Sequence, residues 1–322
     1  MAGELIVVFG GSGFIGRYVV KTLARRGKRV RVAMRRPHLG QDLRVLGDVG
    51  QIQLVQANVR FPDSVARALE GADGVVNLVG ALYERGAQNF FNLHAEAAAS
   101  IAAQADKREI DRFVHVSAIG AAANAKSHYA RTKAEAEESV RASLPAAAIL
   151  RPSVVFGPED KFFNRFADMA KFAPALPLIG GRTRLQPVYV GDLAEAIANA
   201  LDDRAARGRT FEIGGPRVYT MKELLRFILA TIERKRPLLP TPFFAAEIAG
   251  GLLNFATGLV PLFPPPLTAD QVKMLKRDNV VSGAPGVGTI ADLGVTQLES
   301  VESIVPSYLW RFRPYGQFQA AA

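Results

Sequence analysis

Through the first 155 residues, short apolar runs alternate with longer amphipathic stretches. Leu5–Phe9, Val30–Met34, Ile52–Gln56, Val75–Val79, Phe113–Ser117 and Ala148–Arg151 are β-rich and mostly apolar, with little alternation. A strand covered on both faces has no solvent side, so its two-residue alternation disappears. Between these runs, Phe14–Arg26, Asp63–Glu70, Phe90–Ala105 and His128–Ser143 carry helical spacing. The rhythm predicts an α/β fold, a doubly wound parallel sheet.

After Pro158 the rhythm breaks. Helices are expected at Phe162–Phe172, Asp192–Asp202, Met221–Arg234 and Leu298–Trp310, the last opened by a Thr296-to-Glu299 capping box. Short strands near Pro187–Val190 and Thr210–Ile213 extend the sheet or form a small lobe. The expected division is a nucleotide-binding core over residues 1–158 and a smaller, mostly helical C-terminal lobe over 159–322. Four prolines in Pro261 to Pro266 read as a rigid connector.

Composition narrows the chemistry. The chain has 322 residues, 49% hydrophobic and 22% charged, which suits a globular protein and excludes disorder. It has no cysteine, so disulfides, thiol catalysis and cysteine-based metal centres are excluded. His38, His94, His115 and His128 lack metal-ligand spacing, so no metal is expected. The start, Met1 to Leu5, does not read as a signal peptide, which suggests a cytoplasmic-side location. Net charge is +10, and nine Lys or Arg residues with no acid lie between Arg17 and Arg36. An anionic ligand or acidic surface explains this excess beyond a solvated helix face. No nucleic-acid motif accompanies it.

The segment Gly10-Gly11-Ser12-Gly13-Phe14-Ile15-Gly16 lies between the first strand and the first helix. Glycines permit the tight turn and a close approach of backbone to a pyrophosphate. The helix start then offers free N–H groups and the positive end of its dipole. Gly10, Ser12, Gly13, Phe14, Ile15 and Gly16 are therefore candidate cofactor contacts in a Rossmann fold; a purely structural glycine turn is the alternative. The second strand ends in Arg35-Arg36-Pro37, where an NAD site usually carries an acid. Two guanidiniums there suit a 2′-phosphate, so NADP(H) is favoured over NAD(H). Two solvated surface arginines are the alternative.

The GxxGxxG spacing resembles the short-chain dehydrogenase/reductase superfamily, in its extended and atypical, epimerase/dehydratase-like branches. The resemblance implies adenine contacts at Asn58 and Val59 and passage of the cofactor past Gly80. It also implies a Ser117, Tyr129 and Lys133 constellation. Tyr129 and Lys133 sit four residues apart and share a helix face. In a reductase of this type the tyrosine exchanges a proton with the substrate oxygen, the lysine lowers its pKa and holds the ribose, and the serine positions the carbonyl. Lys133 serving only the ribose is the alternative. Leu150 to Pro158 resembles the sixth-strand signature, with Pro152 among the cofactor contacts. Val188 to Ala194 resembles a later strand-to-helix corner, where Asp192 is the expected N-cap. Eleven residues separate Ser117 from Tyr129, short for sugar-nucleotide epimerases, and Asn58 replaces the aspartate usual after the third strand.

A narrower resemblance rests on Val114 to Ala121, Pro266 to Val272 and Trp310 to Pro314. These stretches are similar to the NADPH-binding accessory subunits of respiratory complex I and their bacterial relatives. That family implies a bound-cofactor subunit without turnover, with complex I subunits as partners and a peripheral position on the inner face of the inner membrane. The stretch Pro242 to Phe263 carries only Glu247 as a charge and follows Arg234-Lys235-Arg236. It reads as a buried lobe helix, a docking helix or a membrane span, and the basic triplet suits an anionic membrane surface or an acidic partner. A soluble NADP-dependent reductase or epimerase/dehydratase, and an NADPH redox sensor, are the competing functions.

Overall fold

The computed structural model describes residues 3–81, 84, 89–259 and 268–316, with side chains omitted over 252–259. Six strands follow the expected positions: β1 (Leu5–Phe9), β2 (Arg29–Met34), β3 (Ile52–Gln56), β4 (Gly74–Asn77), β5 (Phe113–Val116) and β6 (Ala148–Pro152). Two later strands, Thr210–Ile213 and Val287–Thr289, join them in an eight-stranded sheet. From one edge the order is Val287–Thr289, Thr210–Ile213, β6, β5, β4, β1, β2, β3, and every pair is parallel. This is the doubly wound Rossmann arrangement. The strand order reverses beside β1, between β2 and β4, and such a switch point opens a crevice at the strand ends.

Apolar runs lack alternation because both faces are covered. All five side chains of β1 are buried. On one face, α3 (Ala97–Asp106) presents Ala98, Ile101, Ala102 and Ala105 to Val7, Phe9, Val75 and Phe113. Small alanines let the helix sit close to the sheet. α1 (Phe14–Arg25) packs against α6 (Val190–Asp202). Arg26, just past α1, pairs with Glu195 and hydrogen-bonds Asn199, which absorbs part of the basic excess. α2 (Pro62–Ala68) and α4 (His128–Ser143) complete the expected helices of the first half.

The chain divides into two compact units that are interleaved along the sequence. The first comprises 1–152, 190–213 and 282–296; the second comprises 153–189, 214–281 and 297–322. The later segments return to the first unit because they supply the last two parallel strands and α6.

The second unit has its own core. Phe156 and Phe163 pack with Leu224, Leu225 and Ile228 of α7 (Met221–Thr231) and with Val305, Tyr308 and Leu309. Buried Asp160 accepts hydrogen bonds from the Phe162 and Phe163 amides at the start of α5 (Phe163–Phe172) and from the Tyr308 hydroxyl at 2.6 Å. Burial raises its pKa, against these hydrogen bonds.

Three local expectations are corrected. The helix expected over Leu298–Trp310 is two short helices, Val301–Ile304 and Pro306–Leu309, followed by a 3-10 turn. Pro306 has no N–H to continue the first helix. The capping box belongs to Ser300 and Ser303, not Thr296 and Glu299. α6 starts at Val190, so Asp192 lies in its first turn, where its negative charge still suits the helix start. The expected connector Pro261–Pro266 lies outside the described residues. α8 (Phe243–Leu259) occupies most of the apolar stretch, and residues 260–263 lie outside the described residues. Among the described residues, no helix is long and apolar enough to cross a membrane.

Candidate functional site

The glycine loop leaves β1 at the switch point. Gly10 has φ +79°, and a Cβ there would stand 3.0 Å from the Leu78 carbonyl group beyond β4. The turn closes with the Gly13 amide donating to Gly10 O at 3.0 Å. Gly16 sits in the first turn of α1, where a Cβ would fall 2.4 Å from Gly10 O and 2.5 Å from Gly11 Cα. Only hydrogen lets the helix come this close to the loop. Gly13 is the N-cap and supplies no side-chain acceptor, and the first turn contains no acid. The amides of Phe14, Ile15 and Gly16 thus face the helix start without intrahelical partners, a ready anion site. Ser12, Phe14 and Ile15 are half-buried along the same loop.

Arg35 and Arg36 follow β2 as exposed residues. Neither guanidinium has an ion pair or hydrogen bond among the described residues. Asn58 lies after β3, and its Oδ1 accepts from the Arg60 amide. Its own amide donates to Ser64 Oγ at 3.0 Å. Asn58 therefore shapes the turn into α2, with Val59 half-buried beside it.

The second cluster lies past β4 and β5. Ser127 caps α4 by accepting from the Ala130 amide. One turn into that helix, Lys133 is buried and its Nζ donates to Val116 O at 3.0 Å. Gly80 lies against it: a Cβ there would be 3.4 Å from Lys133 Nζ and 3.7 Å from His94 Nε2. The sequence-distant Gly80, β5 end and Lys133 thus meet. Burial pulls the Lys133 pKa down to about 8, with Glu137 acting in the opposite direction. Glu137 in turn holds Arg151 through two hydrogen bonds, at 2.9 and 2.5 Å.

Tyr129 keeps some exposed ring surface, but the protein packed around it pushes its pKa up to about 12. It sits edge-on to Phe90 and His94, with ring centroids 5.7 and 5.2 Å away. Ser117 follows β5 directly, with its amide donating to Leu150 O at 2.7 Å. Its Oγ is buried and has no hydrogen-bond partner among the described residues. Pro152, at the end of β6, is buried and its carbonyl accepts from the Ile119 amide.

Sequence reasoning missed His94. It lies in a π-helical turn, Phe91–Glu96, leading into α3, within the stretch expected to be regular α-helix. Such turns insert an extra residue and redirect side chains. His94 Nε2 accepts from the Ala81 amide at 3.0 Å, and Nδ1 lies 3.1 Å from Thr132 Oγ1. Thr132 donates to carbonyls of its own helix, so the consistent tautomer has Nδ1–H donating to Thr132. Burial first, then Lys133, pulls the His94 pKa down to about 3, so the ring is neutral. It ties the Gly80–Ala81 loop to α4. His115 was also passed over; it lies 3.1 Å from Asn77 Nδ2 and is held neutral mainly by burial. No spacing signal marks either histidine.

The site fits a dinucleotide. Its phosphate end is a backbone cradle, its second-strand end is cationic, and its far end holds a buried ammonium and an unpartnered hydroxyl. Among the described residues, no group of three or more His, Asp or Glu could hold a metal.

Comparison with known proteins agrees with this class. The model of the NAD dependent epimerase/dehydratase family matches residues 6–214. The chain is 36% identical to the mouse protein "NADH dehydrogenase [ubiquinone] 1 alpha subcomplex subunit 9, mitochondrial", over 94% of this chain and 80% of that one. It is 37% identical to the Arabidopsis thaliana protein of the same name, over 88% of this chain and 72% of that one. The solved nucleoside-diphosphate-sugar epimerase from Staphylococcus aureus has the same fold, with TM-score 0.69, 14% identity and coverage of 93% and 99%. The chain belongs to the NAD dependent epimerase/dehydratase family and is homologous to the alpha subcomplex subunit 9 proteins over nearly its whole length.

Proposed function

We propose that this chain is an accessory subunit of a respiratory complex I, an NADH:ubiquinone oxidoreductase, and holds NADP(H) as a bound cofactor. One observation carries the reading: similarity to the subunit 9 proteins covers 94% of the chain, whereas the family model ends at residue 214. The 36% identity therefore extends into the C-terminal segments, where the solved epimerase shares the fold at only 14% identity. The unpaired Arg35 and Arg36 support NADP(H) over NAD(H), because forked guanidiniums match a 2′-phosphate. The subunit sits peripherally on the inner face of the inner membrane, with complex I subunits as neighbours.

The residues divide the cofactor between them. The α1 amides would hold the pyrophosphate and the two arginines the 2′-phosphate, Asn58 and Val59 would flank the adenine, and Gly80 with Pro152 would line the passage to the nicotinamide. Lys133, whose Nζ now donates to Val116 O, would hold the nicotinamide ribose. A bound nicotinamide would supply hydride chemistry. In the unliganded chain, burial holds the Tyr129 hydroxyl protonated at neutral pH.

The test is purification from gently solubilised membranes. The chain should migrate with a large NADH:ubiquinone oxidoreductase and retain NADPH after buffer exchange. Recovery only as a free chain in the soluble fraction would overturn the subunit role. A second reading, a soluble NADP-dependent reductase or epimerase/dehydratase using Ser117, Tyr129 and Lys133, is favoured by the unpartnered Ser117 hydroxyl. Steady NADPH-dependent turnover by the free chain would select it.

A further inference from the structure

The second unit carries a basic cleft with no role in the cofactor site. It is open, about 460 Å³ in volume, and is lined by Lys222, Arg226, Arg234, Lys235 and Arg236. No acid lines it. Lys222 and Arg226 are four residues apart on α7 and share one face. They and Lys235 are exposed, and none has a side-chain partner among the described residues. Arg234 and Arg236 are each anchored through Nε alone, to Phe312 O at 2.9 Å and Ala170 O at 3.1 Å. Anchoring fixes each guanidinium while its terminal nitrogens stay available. The nearby acids are engaged elsewhere: Glu223 accepts from Thr220, and Glu233 pairs with Arg313.

Leu178, Leu229 and Leu238 line the same cleft. Exposed apolar side chains follow from it along the chain. Leu239 is next to Leu238, and Phe244 and Ile248 come one turn apart on α8. Phe172 lies two residues from the carbonyl that anchors Arg236. Among the described residues, no aromatic ring lines the cleft, so base stacking has no platform there.

We infer that this cleft receives the phosphate of an acidic phospholipid headgroup, with the neighbouring apolar side chains entering the outer acyl region. A free phosphate would satisfy the cations but leave those side chains in water; a phospholipid serves both. This deepens the peripheral placement proposed above, which it presupposes.

The test uses the full chain in flotation with phosphatidylcholine vesicles containing about one-third phosphatidylglycerol, against pure phosphatidylcholine. The anionic vesicles should bind it, and the neutral ones should not. The double variant Lys222→Glu/Arg226→Glu should weaken binding at least about tenfold. Arg44→Glu/Arg67→Glu changes net charge equally on the first unit and should stay within about twofold of the parent. Lys235→Glu, outside any helix, repeats the test if the double variant fails to fold. Equal losses from both double variants would reduce the effect to net charge and overturn the site. Absence of binding to anionic vesicles would do the same. Displacement by millimolar inorganic phosphate, beyond a chloride control of equal ionic strength, would reassign the cleft to a soluble anion. Co-migration with complex I tests the peripheral placement without vesicles, so the two readings can fail separately.

Discussion

The glycine-loop end and the Lys133 end of the candidate site are built from different materials. At the glycine loop the protein offers backbone: a tight turn, three free amides and a close helix–loop contact that Gly16 permits. At the other end it offers ionisable side chains held away from water. There Lys133 is pulled down to about 8, Tyr129 is pushed up to about 12, and His94 is kept neutral. A backbone cradle needs no change of charge to bind. The side-chain cluster needs desolvated groups to find partners in the ligand, and Lys133 meanwhile uses Val116 O. The first end is preorganised by backbone geometry; the second depends on a ligand to replace the contact that Lys133 now makes with Val116 O.

The contrast breaks most visibly at Gly16. Gly16→Val would drive a side chain into the Gly10 carbonyl and Gly11 backbone, abolishing measurable NADPH binding and lowering stability by about 1–3 kcal/mol. Fluorescence titration and chemical denaturation check this, and parent-like affinity would show that the close contact is not required.

Next in size is Lys133→Met in the unliganded protein. The folded pKa of Lys133, about 8, lies below the ordinary 10.5. Below pH 8 both states are charged and the burial penalty is fully present. Between about 8 and 10.5 the unfolded chain holds a proton that the folded chain has released, so stability rises with pH. That rise, of order 3 kcal/mol, should be missing from the variant. Denaturation curves of matched slope would instead mean that the ammonium is not desolvated.

A smaller effect is expected from Arg35→Asp/Arg36→Asp. Loss of two charge-assisted contacts should weaken NADPH by about tenfold or more and leave NADH nearly unchanged. Calorimetry giving equal NADPH and NADH affinities in the parent would remove the basis for the cationic end. The smallest change belongs to Tyr129→Phe. Removing only a hydroxyl should alter NADPH affinity by less than about threefold, and any turnover should vanish with it. A tenfold loss of affinity would make the hydroxyl part of the holding site and blur the contrast.

By itself the sequence determined the six strands, the glycine loop and the Tyr129–Lys133 pairing on one helix. These are local patterns: burial on both strand faces erases alternation, a loop with glycine at three-residue intervals joins strand to helix, and four-residue spacing sets a helix face. Pro306 was equally visible locally, yet helical periodicity masked its break. Only the tertiary structure brought Gly80, Val116 and Lys133 together and set His94 between the Gly80–Ala81 loop and α4. It also returned Thr210–Ile213 and Val287–Thr289 to the sheet, interleaving two units that a linear reading divides at one point. A pKa follows the same rule. Residue type sets its starting value, but desolvation depends on chain segments far away in sequence, and those meet only when the fold closes over Lys133 and Tyr129.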